Sequence, residues 1–315
     1  MNSINDKLVE YLAVHRALGW KLRWPASGLR DFIDFLKRRG AAFITTEHAV
    51  CWALQPAGVQ PSTHAARLNM VRRFAAWLST SDPRTEIPPK RLLNARHRRS
   101  KPYIYSDQEI ELLMAEATRL PSPTGLRAST YTTLIGLLAS TGLRPGEALA
   151  LDTPDVDLQH GVLTIRETKF GKSRCVPVDE STRLAIERYA RGRDKLCAVP
   201  QTDAFLISER SRALTSCAAR RTFAKVSCAI GLRPPAEGKR SGRGPRLQDF
   251  RHTFATRRLL EWYRAGLDVQ RELPKLATYL GHTEIAHTYW YIEAVPELLQ
   301  LATERCSARQ KGGSR

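Results

Sequence analysis

Thr141-Gly142-Leu143-Arg144-Pro145-Gly146-Glu147 reads as a helix stop followed at once by a helix start. Gly142 suits the left-handed residue that ends a helix, and Pro145 suits the first turn of the next one. Arg144 falls between them, at a helix start where backbone N–H groups also face an anion. Taken alone, such an arginine is an ordinary surface residue. Three other short segments have comparable chemistry. Gln248-Asp249-Phe250-Arg251-His252-Thr253-Phe254-Ala255-Thr256 reads as the start of an amphipathic helix, with Arg251 near its N-terminal end. Leu280-Gly281-His282 repeats the glycine stop and leaves His282 at the corner, with Thr288 and Tyr291 beyond it. Lys169-Phe170-Gly171-Lys172 reads as a tight β-turn, where a lysine can reach into a groove as a point charge and proton donor but, taken alone, is an ordinary exposed turn residue.

Working outward from residue 141, the pattern predicts helices at 127–140 and 145–151. Val162–Arg166 and Arg174–Val178 alternate and are β-rich, so they pair across the Lys169–Lys172 turn. Helices are expected again at 180–191, 216–230, 248–264, 274–280 and 296–305. Upstream, Ser106 with Glu109 three residues on is a capping-box signature. Before that, Pro83, Pro88 and Pro89 interrupt helix. Residues 84–101 carry seven Lys or Arg and one acid, Glu86. Residues 1–82 show four amphipathic helical stretches, the last with Leu68, Val71, Phe74, Ala75 and Leu78 on one face. The expected fold class is therefore mainly α. Residues 1–82 form a small helical domain and residues 83–102 a basic linker. Residues 103–315 form a mostly helical domain with a small antiparallel β-sheet.

The chain has 50 Lys plus Arg against 31 Asp plus Glu, a formal net charge of +19. A field of that sign attracts polyanions, nucleic acid before an anionic membrane. The basic linker is either a solvated run or a segment that follows a phosphate backbone, and the net charge favours the second. Six cysteines are scattered without a C-x-x-C pair or a zinc-site spacing to His, so no metal is expected. They read as reduced thiols. The longest apolar run, Leu134–Ala139, is too short to span a bilayer. The expectation is a cytoplasmic protein, nucleoid-associated when bound to DNA.

Together the four segments resemble the tyrosine recombinase (phage integrase) family: Arg144 in T-G-L-R-x-x-E, Lys169 in T-K-x-G-K, Arg251 in D-F-R-H-T-F-A-T, and L-G-H followed nine residues after the His by Tyr291. Tyr289-Trp290-Tyr291-Ile292-Glu293-Ala294-Val295-Pro296 also resembles a subgroup found in mobile elements that encode several recombinases together. The resemblance implies an N-terminal core-DNA-binding domain and a C-terminal catalytic domain closing around a duplex.

It also implies a reaction. Tyr291 attacks a DNA phosphodiester, leaving a 3′-phosphotyrosyl bond and a free 5′-hydroxyl, so rejoining needs no ATP. Arg144 and Arg251 grip the phosphoryl oxygens, Lys169 protonates the leaving 5′-oxygen, and His282 hydrogen-bonds the phosphate. No cofactor or metal is implied. Gln248 departs from the pattern, which commonly has His there. A glutamine can hydrogen-bond a phosphate but cannot take a proton near neutral pH. Arg67, Arg72, Arg73, Arg96, Arg98, Arg99, Lys101, Lys172 and Arg174 are the expected DNA contacts. The implied partners are double-stranded DNA, further copies in a synaptic tetramer, and related recombinases of the same element. Two other readings share most of these residues: an accessory recombinase weakened by Gln248, and a type IB topoisomerase.

Overall fold

The computed structural model describes residues 3–20, 22–93, 102–166, 173–197, 201–235 and 244–282. Lys169, Lys172, Tyr289, Tyr291, Arg96, Arg98, Arg99, Lys101 and the helix expected at 296–305 lie outside those residues. The chain divides into two compact units, Met1–Ser100 and Lys101–Arg315.

The first unit contains α1 (Ile4–Ala17), α2 (Arg23–Arg38), α3 (Thr46–Leu54) and α4 (Pro61–Leu78). Each helix start has a local cause. Ser3 and Asp6 form a capping box at α1, the Thr45 hydroxyl caps α3, and Pro61 occupies the first turn of α4. Leu8, Phe32, Leu36, Trp52, Val71 and Phe74 form the centre of its core. Burying each large side chain contributes about 1.5–3 kcal/mol. The beginning of the expected linker belongs to this unit. Glu86 donates its N–H to Ile44 O at 2.8 Å and accepts from Thr46 N at 2.8 Å, and Leu93 packs on the core. The prolines there end a helix without freeing the chain, because an edge of backbone around residue 45 takes up its hydrogen bonds.

The second unit contains α5 (Asp107–Thr118), α6 (Leu126–Thr141), α7 (Pro145–Ala148), α8 (Glu180–Leu196), α9 (Ser216–Ala229), α10 (Asp249–Arg264) and α11 (Val269–Leu280). Its sheet is β1 (Val156–Asp157), β2 (Val162–Ile165) and β3 (Arg174–Pro177), antiparallel in that order, with Leu163 opposite Val156 and Val176. The expectation of a mainly helical chain with a small antiparallel sheet is met. Helix α6 is the centre: Thr130, Tyr131, Leu134, Ile135, Leu137, Leu138 and Thr141 are all buried, and it packs on α5, α8 and α10. A helix buried on most sides carries little amphipathic pattern.

Three element boundaries differ from the sequence reading by three residues or more, the others by about one. Helix α7 stops at Ala148, not at 151, because Leu151 O accepts from Phe205 N and Asp152 bridges Ala204. Helix α8 runs through Gly192 to Leu196, held by buried Arg193, which donates to Phe205 O at 3.1 Å. Helix α11 starts at Val269, five residues before Pro274. Asp268 caps it by accepting from Gln270 N at 3.0 Å. Pro274 is tolerated one turn in, where its missing N–H releases only one carbonyl.

Candidate active site

Two glycine corners and one buried arginine form the site's frame. Gly142 ends α6 at φ +61 and Gly281 ends α11 at φ +70, both in the left-handed region that favours glycine. Neither has room for a side chain. A Cβ at Gly142 would lie 2.6 Å from the Phe254 ring, and one at Gly281 would lie 2.7 Å from the Arg174 guanidinium. Gly281→Ala is therefore expected to destabilise the protein by about 1–3 kcal/mol through backbone strain alone, with more from displacing Arg174. A thermal melt that leaves Gly281→Ala unchanged would mean that this corner is not as tight as described.

Arg251 is 2% exposed and connects the corners. Its Nη1 donates to Gly142 O at 3.1 Å and its Nη2 to Leu280 O at 2.6 Å. Helix α10 carries it, and that helix is fixed from below. Phe250 stacks on Tyr105 at 4.4 Å, Tyr105 N donates to Thr253 Oγ1 at 2.9 Å, and Tyr105 Oη donates to Arg246 O at 3.1 Å.

Arg144 stands at the start of α7, with its side chain 36% exposed. Its backbone N–H donates to Glu147 Oε2 at 3.0 Å, its Nη1 to Glu147 Oε1 at 2.6 Å, and its Nη2 to Gly281 O at 3.5 Å. Arg174, on β3, completes the group. Its Nε donates to Tyr279 O at 2.8 Å and its Nη2 to Glu147 Oε2 at 2.9 Å. Three arginines thus engage three successive carbonyls at the end of α11. Those carbonyls have no donor within their own helix and lie at its negative pole. The helix end therefore gathers guanidiniums that lie far apart in sequence. His282 N donates to Ala277 O at 2.9 Å, which closes the turn and places half-buried His282 beside them.

Burial pushes the Glu147 carboxyl up, but the bonds and charge of Arg174, and then the bonds from Arg144, hold it below the ordinary carboxylate range. Burial holds His252 below the ordinary histidine range, with Asp249 opposing and Arg251 and Arg246 reinforcing. Gln248 immediately precedes α10 and is half-buried. It lines a cavity of about 630 Å³ together with Pro145, Gly146, Arg220, Arg221, Arg233 and Arg246.

The structure thus brings Arg144, Arg251 and His282 to one corner, with Gln248 on the cavity wall that Pro145 and Gly146 share. Two expected DNA contacts are engaged inside the protein. Arg174 is only 12% exposed and pairs with Glu147. Arg67 stacks on Trp52 at 3.7 Å and donates to Trp52 O at 3.1 Å. Arg72 donates to Asn69, and Arg73 is exposed. Sequence reading missed the outer face of α9, where Arg220, Arg221 and Lys225 are exposed opposite buried Ala219, Phe223 and Val226. The alternation of buried and basic positions at helical spacing was the available signal. Among the described residues, no group of three or more His, Cys, Asp or Glu is placed to hold a metal ion. No helix among them is long and apolar enough to cross a membrane.

A mainly helical domain with a small sheet and a pair of arginines held at one helix end defines a class that comparison with known proteins identifies. Residues 104–297 match the phage integrase family, and the chain belongs to that family, the tyrosine recombinases. It is 44% identical over 313 residues to a putative integrase/recombinase, y4rB, of Sinorhizobium fredii, covering 98% of each chain. It is 30% identical to the tyrosine recombinase XerD of Caulobacter vibrioides, covering 98% of this chain and 97% of that one. Its fold is similar to that of the Tn1549 transposon integrase in complex with transposon right end DNA. The TM-score there is 0.64 at 17% identity, covering 96% of this chain and 99% of that one.

Proposed function

We propose that this chain is a site-specific DNA recombinase that cuts and rejoins DNA of a mobile element through a 3′-phosphotyrosyl intermediate. The observation that carries the reading is the meeting of Arg144 and Arg251 at the end of α11, with Tyr291 following nine residues after His282. A phosphoryl transition state spreads negative charge over its non-bridging oxygens, and two fixed guanidiniums stabilise it where it develops. The Tyr291 Oη forms the new bond to phosphorus while the bond to the 5′-oxygen breaks. Lys169 supplies the proton that the 5′-oxygen takes. The reverse step, with another 5′-hydroxyl as nucleophile, rejoins the strand without an outside energy source. His282 hydrogen-bonds the phosphate. Gln248 hydrogen-bonds it too but takes no proton, so the tyrosine proton passes to water or His282 and the reaction is slowed.

Residues 1–82 serve as the core-DNA-binding domain and residues 103–315 as the catalytic domain. Arg72, Arg73, the 96–101 basic run, Lys172 and the exposed face of α9 contact the DNA backbone. Synapsis brings four protomers together on two duplexes, with related recombinases of the same element as partners. Gln248 favours one other reading, an accessory recombinase with little cleavage of its own.

The test is covalent capture. The protein is incubated with fragmented total DNA from its source organism, quenched with detergent, and the fragments bound to protein are recovered. Recovered fragments are expected to share one short sequence, at which the captured strand is blocked at its 3′ end and the strand across the break carries a free 5′-hydroxyl that polynucleotide kinase labels without prior phosphatase. Binding without covalent capture selects the accessory reading, and a 5′-linked adduct would overturn the mechanism.

Affinity is expected to fall steeply with salt, given the +19 charge. Displacing about six counterions weakens binding roughly 10³-fold between about 50 and 200 mM salt. A flat salt profile would remove DNA from the partners.

A further inference from the structure

We infer that Arg174 is a positioning residue that keeps Arg144 directed toward the phosphate by sharing the charge of Glu147. The inference rests on the strand-transfer reading above. The Glu147 carboxylate is 9% exposed and takes donors from both arginines: Oε1 from Arg144 Nη1 at 2.6 Å and Arg174 Nη1 at 3.3 Å, and Oε2 from Arg144 N at 3.0 Å and Arg174 Nη2 at 2.9 Å. Within this trio two positive groups and one negative group leave one net positive charge, beside the charge of Arg251. Arg174 is nearly enclosed, so it is not the member that meets the substrate. Arg144, more than a third exposed, is.

Without Arg174 the whole carboxylate charge falls on Arg144, and the net charge of that pair is zero. The bidentate hold that fixes Glu147, and the Arg174 Nε bond to Tyr279 O at 2.8 Å, are lost together. A buried charge left with one partner draws that partner in. Arg144, which already holds Glu147 Oε1 at 2.6 Å, is then drawn onto both carboxylate oxygens and away from the phosphate. Misplacing a group in this way costs up to about 100-fold in rate.

The charge count gives a test that simple bracing of the fold does not meet. The substrate is a nicked duplex carrying the sequence recovered by covalent capture with the unaltered protein. If the unaltered protein captures nothing, the strand-transfer reading itself has failed, before any variant is compared. Arg174→Ala is expected to bind this duplex within about twofold of the parent and to form adduct about 10- to 100-fold more slowly. Adding Glu147→Gln to Arg174→Ala returns the local charge to one positive and is expected to recover most of the lost rate. Arg174→Gln, which keeps amide donors near Tyr279 O but no charge, takes the place of Arg174→Ala if the latter does not fold in a melting control. An unimpaired single variant overturns the inference. So does a double variant as slow as the single one, since that makes Arg174 a brace only.

Discussion

Tyr291→Phe is expected to abolish covalent capture of DNA while leaving binding within about twofold of the parent. The substitution removes one oxygen, the nucleophile in the proposed reaction, and retains the ring. Without that oxygen no phosphotyrosyl bond can form, so the loss should be complete instead of graded. Tyr289→Phe serves as the control, because it lies two residues nearer His282 and off the nine-residue spacing that selects Tyr291. Its adduct yield should stay near that of the parent. Adducts formed by Tyr291→Phe but not by Tyr289→Phe would reassign the nucleophile. Binding by filter retention at low salt separates chemistry from affinity in the same samples.

Arg251→Ala is expected to damage both fold and chemistry. The guanidinium is buried and is the donor to Gly142 O and Leu280 O, so its removal strands two carbonyls at the two corners. Each unsatisfied buried group costs about 1–3 kcal/mol. In a domain of this size each kcal/mol lowers Tm by about 2–4 °C. Losing one transition-state donor of this kind slows chemistry by about 10²–10³-fold on its own. Arg251→Lys separates the two effects. A lysine keeps the charge but cannot reach two carbonyls with a planar fork. It should recover part of the stability and little of the adduct formation. Arg251→Ala melting and cleaving like the parent would remove Arg251 from the site.

The corners of this site were legible in the sequence because glycine and proline act locally. Gly142, Pro145 and Gly281 mark turns whatever surrounds them, and the structure has them where the spacing puts them. The capping box at Ser106 was legible for the same reason. Hidden features depend on distant partners. Arg174 looked like a free cation beside a turn, because nothing within a few residues shows that Glu147 and Tyr279 O are waiting for it. The end of α7 is set by Phe205, more than fifty residues on. The helix expected from residue 274 begins earlier, because Asp268 caps it and Pro274 is carried inside. Strand β1 has two residues, too few for alternation to show.

The three carbonyls that collect the arginines belong to the backbone, so every amino acid at residues 279 and 280 presents them equally. Substitution there leaves the acceptors in place, so selection on this end of α11 acts on its length as well as on the packing of Leu280 and Tyr279. Deleting one residue within α11 turns everything after it by about 100° and pulls it back by about 1.5 Å. The glycine stop and the last carbonyl would then lie one position too early for Arg144, with every side chain of the site still present. Among relatives that retain this arrangement, the exposed positions of α11 should accumulate substitutions while the count of residues between Asp268 and Gly281 stays fixed.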